Sequence, residues 1–345
     1  MTQPQPVLRP GMRQQREELM TEEIVRSLTV DGLSYSYRLV PGPRTTTEPV
    51  LVLGGALQGM YGWPQIEDRL GPVTSVITAD LPGTGSADPL TVRDALPLLC
   101  RAIEQIIDDL GLERVNLFGY SFGSAVAYLC AQRQPRRIAR LVLGGVPTSM
   151  SDAQYARLRE LAAELAAGRL HDFAALFAKS MLCMDPNRPV LNRHLAYRYV
   201  KRAVFHTYSR TPHARASLDH VLSSGPALLD GGLTGVPTLV FSGEHDTLTP
   251  VNDQRAFTTT IENSRFVTMR ESDHWVVLER AHDVADLALR YFTGQSLDDA
   301  QYVVPEEDRA AHGTAQACQG NAPQTEHTRG CEAVSTSSCR SGSGV

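Results

Sequence analysis

From residue 27 the chain alternates apolar and polar positions through "SLTVDGLSYSYRLV", with Asp31-Gly32 at the centre of the stretch. A period of two predicts a pair of half-buried strands, and Asp-Gly between them predicts a tight hairpin turn. The runs "PVLVLGG" at 49–55 and "VTSVITAD" at 73–80 are short, apolar and rich in β-branched residues, as strands buried on both faces tend to be. Residues 92–110 change to helical spacing and stop at Gly111. "RVNLFGY" then predicts a strand, 122–133 a helix, and "IARLVLGG" at 138–145 another strand. Strand and helix in turn predict an α/β fold, with a mostly parallel sheet covered by helices on both faces.

The sheet pattern pauses from 147 to 235. "SDAQYARLRELAAELAAG" and "RPVLNRHLAYRYVKRAVFHTY" have helical spacing there, with Ser151 or Asp152 placed to cap the first. Strands resume at "VPTLVFSG" (236–243) and "SRFVTM" (264–269), and a last helix is expected over about 280–292. An all-helical insertion between two strands predicts a lid at the carboxyl ends of the sheet, where open α/β sheets bind ligands. The expected organisation is therefore a mobile leader over 1–24, a core from 25–146 and 236–295, and a helical lid over 147–235. The small, polar, aperiodic residues of 296–345 predict a disordered tail.

Composition narrows the function classes. The chain has 345 residues, 42% of them hydrophobic, and a net charge of -5, which suits a soluble globular protein. No apolar run approaches the roughly 18 residues of a membrane span, and the N-terminus lacks a signal-like apolar core, so a cytoplasmic protein with no membrane span is expected. Arginines are scattered among acids without a basic stripe, which argues against a nucleic-acid partner. Cys318, Cys331 and Cys339 share the tail with His312 and His327 but form no CxxC pair, so no metal is expected. "DLPGTGSAD" at 80–88 lacks the Gly-Lys-Ser/Thr of a phosphate cradle, and no GxGxxG follows the first strands; no cofactor is expected.

Chemistry concentrates at Gly119-Tyr120-Ser121-Phe122-Gly123, which ends a strand and opens a helix. That is the context in which G-x-S-x-G exposes a serine on a sharp turn, with glycines where neighbouring chain comes close. Two loops downstream carry matching partners: "FSGEHDTLTP" after one strand, with Asp246, and "ESDHWVVLE" after the next, with His274. On these motifs the chain resembles the α/β-hydrolase superfamily over about residues 27–293. The resemblance implies Ser121 as nucleophile, Asp246 as acid and His274 as base, in the order the family uses. Glu244 and Asp273 are rivals for the acid. The strand before leads into "GGVPTS", which has no carboxylate to offer.

The resemblance also implies an oxyanion hole from the backbone N–H groups of Phe122 and of Ala56, in "LGGALQGMYGW". Many relatives have His-Gly at the start of that loop, whereas this chain has Gly54-Gly55 and so lacks a usual brace; Gln58 is a candidate to brace the loop or meet substrate, and equally reads as a plain surface residue. Asp80 reads as a loop carboxylate of structural use, and Tyr61 and Trp63 as packing residues. The function expected is a serine hydrolase acting through an acyl-enzyme on an ester or thioester. Tyr155, Phe173, Phe177 and the run from Met181 to Met184 suggest an apolar pocket. The partner expected is a small-molecule acyl substrate, free or carrier-bound. Acyl transfer, C–C bond hydrolysis and a non-catalytic ligand-binding role are the alternatives.

Overall fold

The computed structural model describes residues 23–43, 47–55, 57–90, 95–210 and 229–305. Eight strands form one sheet: β1 (Ile24–Val30), β2 (Leu33–Val40), β3 (Val50–Leu53), β4 (Val76–Asp80), β5 (Val115–Tyr120), β6 (Ile138–Gly144), β7 (Thr238–Gly243) and β8 (Ser264–Met269). Their order is β1-β2-β4-β3-β5-β6-β7-β8. β1 pairs antiparallel with β2, and β2 with β4, while every later pairing is parallel. The hairpin turns at Asp31-Gly32, both at positive φ, as the sequence predicts.

The parallel strands alternate side chains between two separate cores. Val50 and Val52 join one apolar layer, and Leu51 and Leu53 join the other. The first layer is covered by α1 (Pro64–Leu70) and α9 (Ala281–Thr293), the second by α2 (Ala95–Asp109), α3 (Phe122–Arg133) and α7 (Val251–Thr258). The short α8 (Val276–Glu279) precedes α9. Full burial of each Leu, Val or Phe contributes about 1.5–3 kcal/mol before chain entropy is set against it, so these layers hold the sheet flat against its helices.

Between β6 and β7 lie α4 (Asp152–Ala166), α5 (Leu170–Ser180) and α6 (Arg193–Arg210). Ser151 opens α4 with a reciprocal capping box to Gln154. Leu161, Phe173, Leu182, Val200 and Val204 tie the insertion into the first apolar layer. No helix among the described residues is long and apolar enough to cross a membrane.

One boundary needs correction. The expected disordered tail from 296 does not begin there: Leu297, Ala300 and Val304 are buried, Tyr302 Oη donates to Asp286, and Val303 bridges to Met269. The apolar residues of this stretch are too few and too irregular to register as an element, yet they close over the end of β8. The leader up to residue 22, Ala56 and the tail from 306 lie outside the described residues.

The sheet order places the crevice. β3 is followed by β4 on one side, and the chain then crosses to put β5 on the other. Loops leaving the carboxyl ends of β3 and β5 therefore diverge, the point at which open α/β sheets bind ligands.

Candidate active site

β5 is buried along its length and runs into α3 with a single residue, Ser121, between them. Ser121 has φ 51° and ψ −120°, a backbone conformation that L-residues adopt only when their surroundings compel it. Its N–H donates to Gly144 O at 2.7 Å, which fixes the turn to β6. The glycines have steric causes. A Cβ on Gly119 would lie 2.6 Å from Gly123 O, and one on Gly123 would lie 2.4 Å from Leu53 O. Phe122 opens α3, so its N–H has no acceptor within the helix and stands at the positive end of the helix dipole.

His274 follows β8 and is 3% exposed. Its Nε2 lies 3.1 Å from Ser121 Oγ and its Nδ1 lies 3.0 Å from Asp246 Oδ2. The carboxylate can only accept, so Nδ1 carries the proton and Nε2 is left to accept from the serine hydroxyl. Asp246, buried in the turn after β7, is itself fixed by three donors. Oδ1 accepts from Leu248 N–H at 2.9 Å and Thr249 N–H at 2.8 Å, and Oδ2 accepts from Thr249 Oγ1 at 2.6 Å. Burial pushes the His274 imidazole toward its neutral form, but the charge and hydrogen bond of Asp246, with the charge of Asp273, outweigh it and raise its pKa above the ordinary 6.5.

The rival carboxylates are engaged elsewhere. Glu244 Oε2 accepts from Glu271 N–H at 2.8 Å, and Asp273 accepts from the N–H groups of Cys183 and Trp275. Neither is hydrogen-bonded to His274, whereas Asp246 is.

The turn after β3 lies against the serine. A Cβ on Gly55 would approach Ser121 Cβ to 3.2 Å. Gln58 is 4% exposed; its Oε1 accepts from Gly55 N–H at 3.1 Å while its own N–H donates to Gly55 O at 3.0 Å. Gln58 therefore braces the loop that lacks the usual histidine. Ala56 lies outside the described residues. Asp80 pins the adjoining loops, accepting from Met60 N–H at 2.7 Å and from Ser86 N–H at 2.9 Å. Trp63 is packed edge-on against Phe118, while Tyr61 is exposed with Arg38 over its ring.

Of the insertion's expected pocket residues, Phe173, Leu182 and Cys183 are buried, Phe177 and Met181 pack partly buried against the core, and Met184 is exposed. Sequence reasoning missed Thr249, which bonds Asp246 and lies 3.2 Å from His274 Nδ1. Its signal was available: a hydroxyl three residues after an aspartate in a turn is the spacing of a side-chain-closed loop. It also missed Glu279, whose part depends on burial that no local pattern reveals.

With this geometry in place, comparison with known proteins decides the family. The α/β-hydrolase fold pattern matches residues 48–281. The chain belongs to the α/β-hydrolase fold family. Among similar proteins, a 2-hydroxy-6-oxononadienedioate/2-hydroxy-6-oxononatrienedioate hydrolase from Pseudomonas putida is 36% identical over 103 residues. That match spans 28% of this chain and 36% of the relative, so it covers about a third of that protein's length. A hydrolase of the same name from Klebsiella pneumoniae is 25% identical over 256 residues, 71% of this chain and 86% of its own. Among solved structures, 2-hydroxy-6-oxo-6-phenylhexa-2,4-dienoate hydrolase from a Rhodococcus strain superposes with a TM-score of 0.63 at 20% identity, covering 79% of this α/β hydrolase and 99% of that chain. At that identity the structural likeness is one of fold.

Proposed function

We propose that this α/β hydrolase is a serine hydrolase that opens an acyl carbonyl through a covalent acyl-enzyme. The observation that carries the reading is the continuous relay from Ser121 Oγ through both ring nitrogens of His274 to Asp246. A serine hydroxyl is a weak nucleophile until a base takes its proton as it attacks, and a neutral imidazole oriented by a buried carboxylate is such a base. Ser121 Oγ would bond to the carbonyl carbon as the proton passes to His274 Nε2. The oxyanion would accept from the Phe122 N–H and from a second donor in the β3 loop, for which Ala56 is the candidate. His274 then returns the proton to the leaving group, and water repeats the attack on the acyl-enzyme to release the acid.

The substrate we favour is an ester or thioester with a mainly apolar acyl group, free or carrier-bound. The support is the apolar character that Phe173, Leu182, Cys183 and Met181 give the helical insertion, which would act as a lid. The second reading is hydrolysis of a C–C bond beside a ketone. It is supported by the relatives named for 2-hydroxy-6-oxo diene acids, in which the carbonyl to be attacked is a ketone.

A panel assay separates the two: p-nitrophenyl esters of graded chain length, an acyl thioester, and a 2-hydroxy-6-oxo dienoate followed by its absorbance. Turnover that is highest on the ester or thioester and abolished by Ser121→Ala supports the first reading. A preference for the dienoate by tenfold or more, on the order of 1.4 kcal/mol in transition-state binding, transfers the assignment to C–C hydrolysis. Turnover that survives Ser121→Ala overturns both.

A further inference from the structure

Next to the histidine sits a second pair of acids that the relay does not use. Asp273 is 1% exposed and Glu279 2%, and the two are tied directly by a bond from the Asp273 backbone N–H to the Glu279 carboxyl group. The surroundings of the two differ. Asp273 Oδ2 accepts from Cys183 N–H at 2.7 Å and its Oδ1 accepts from Trp275 N–H at 2.8 Å, so it is supplied with donors as a carboxylate requires. Glu279 Oε2 accepts from Asp273 N–H at 2.8 Å, but Oε1 is buried with no hydrogen-bond partner among the described residues. A bare anionic oxygen in that position would be costly, and a protonated carboxyl costs far less. Two carboxyl groups this close and this buried hold one proton between them, because both cannot ionise out of water. Burial and the charge of Asp273 push Glu279 up to about 10, in agreement with the geometry.

The pair also joins two parts of the fold. Cys183, bonded to Asp273, belongs to the insertion, in the segment linking α5 to α6. Two more bonds run from that segment to the His274 loop: Asn192 Nδ2 donates to Glu279 O at 3.0 Å, and Leu191 N–H donates to Glu271 O at 2.9 Å. The titratable groups facing the pair are Asp246 in the turn after β7, Tyr120 at the end of β5 and His274 itself. Tyr199 of α6 packs against the neighbouring Trp275 ring. Glu271 is held apart by Arg280.

We propose that Asp273 and Glu279 are positioning residues: a buried carboxyl–carboxylate pair that locks the helical insertion to the loop bearing His274 and adds a second negative charge to the histidine's surroundings. This rests on the reading of Ser121 and His274 as the reacting pair. The pair does not touch the reacting atoms. It sets where the histidine stands, how readily it takes a proton, and how the insertion sits over it.

Two variants test this on the full chain. Asp273→Asn removes the charge, so the acid limb of the kcat/KM profile should move to lower pH, on the order of half a unit. A merely structural role would lower Tm and leave the limb in place. Glu279→Gln supplies a neutral amide where the acid holds its proton, so the limb should stay where the wild-type protein has it. Its stability should change in slope instead. Native Glu279 keeps a proton that the unfolded chain releases near its ordinary 4.5, so the wild-type protein loses stability as pH rises between that value and about 10. Glu279→Gln should flatten that decline.

An unmoved acid limb in Asp273→Asn, or an unchanged stability slope in Glu279→Gln, overturns the proposal. If Asp273→Asn does not fold, the slope of Glu279→Gln decides alone, and it needs no activity. Failure of the wild-type protein to react at Ser121 with a fluorophosphonate would instead mark failure of the underlying reading.

Discussion

On the proposed reading, each residue of the relay is held by contacts that suit it to one task. Asp246 receives two backbone N–H groups and the Thr249 hydroxyl, so it cannot turn away from His274. Asp246→Asn keeps the shape but replaces an acceptor with a donor at Nδ1, forcing the wrong tautomer; turnover should fall by about four orders of magnitude. Glu244→Gln should change turnover by less than about tenfold, since Glu244 is bonded to the Glu271 backbone. Steady-state kinetics on the two variants checks the assignment, and the reverse ranking would move the acid to Glu244. The pH dependence has a defined sign. On the proposed mechanism His274 acts as a base only when neutral, and its pKa is raised above 6.5, so kcat/KM should climb with pH through a limb above that value. A limb below 6.5 in the pH–rate profile would contradict the electrostatics described for the site.

At the scale of elements, the strand–turn–helix joint does the positioning, and its glycines were legible in the sequence because the motif states both the bend and its steric cause. Gly123→Ala would press a methyl carbon to 2.4 Å from the Leu53 carbonyl, which is backbone and cannot step aside. The variant should lose about 2 kcal/mol or more of stability together with most of its activity, measured by thermal unfolding beside the kinetics. The alternating strands from 27 to 40 and the apolar strands from β3 to β8 were equally readable, because burial on one face or two leaves different periods. What escaped had no such signature. The Asp273–Glu279 contact depends on burial supplied by a distant insertion, which local spacing does not carry; Gln58 was a candidate brace, but that its bonds close on Gly55 was not readable.

Across the whole molecule, two apolar layers sandwich the sheet, and the chain order reverses at β3, so the loops after β3, β5, β7 and β8 meet at one edge. The order of Ser121, Asp246 and His274 along the sequence could be matched to that edge because each follows a strand. Where the packed structure ends was misjudged, since 296–304 has polar composition and only scattered apolar residues. Those few are buried, and a chain ended after Gln295 should be less stable than one ended after Pro305, by up to about 3 kcal/mol from the burial of Leu297 and Val304 before the entropy of ordering the segment is set against it. Chemical denaturation of the two truncations checks this; equal midpoints would show that the segment contributes nothing.

The most direct test of the account is to treat the protein with a fluorophosphonate, wild type beside Ser121→Ala, and locate the adduct by mass spectrometry. An activated serine predicts a single adduct on Ser121 in the wild-type protein and none in the variant, with turnover in the variant reduced by about four to six orders of magnitude. A folded wild-type protein that takes no adduct, or one labelled equally with and without Ser121, would contradict it.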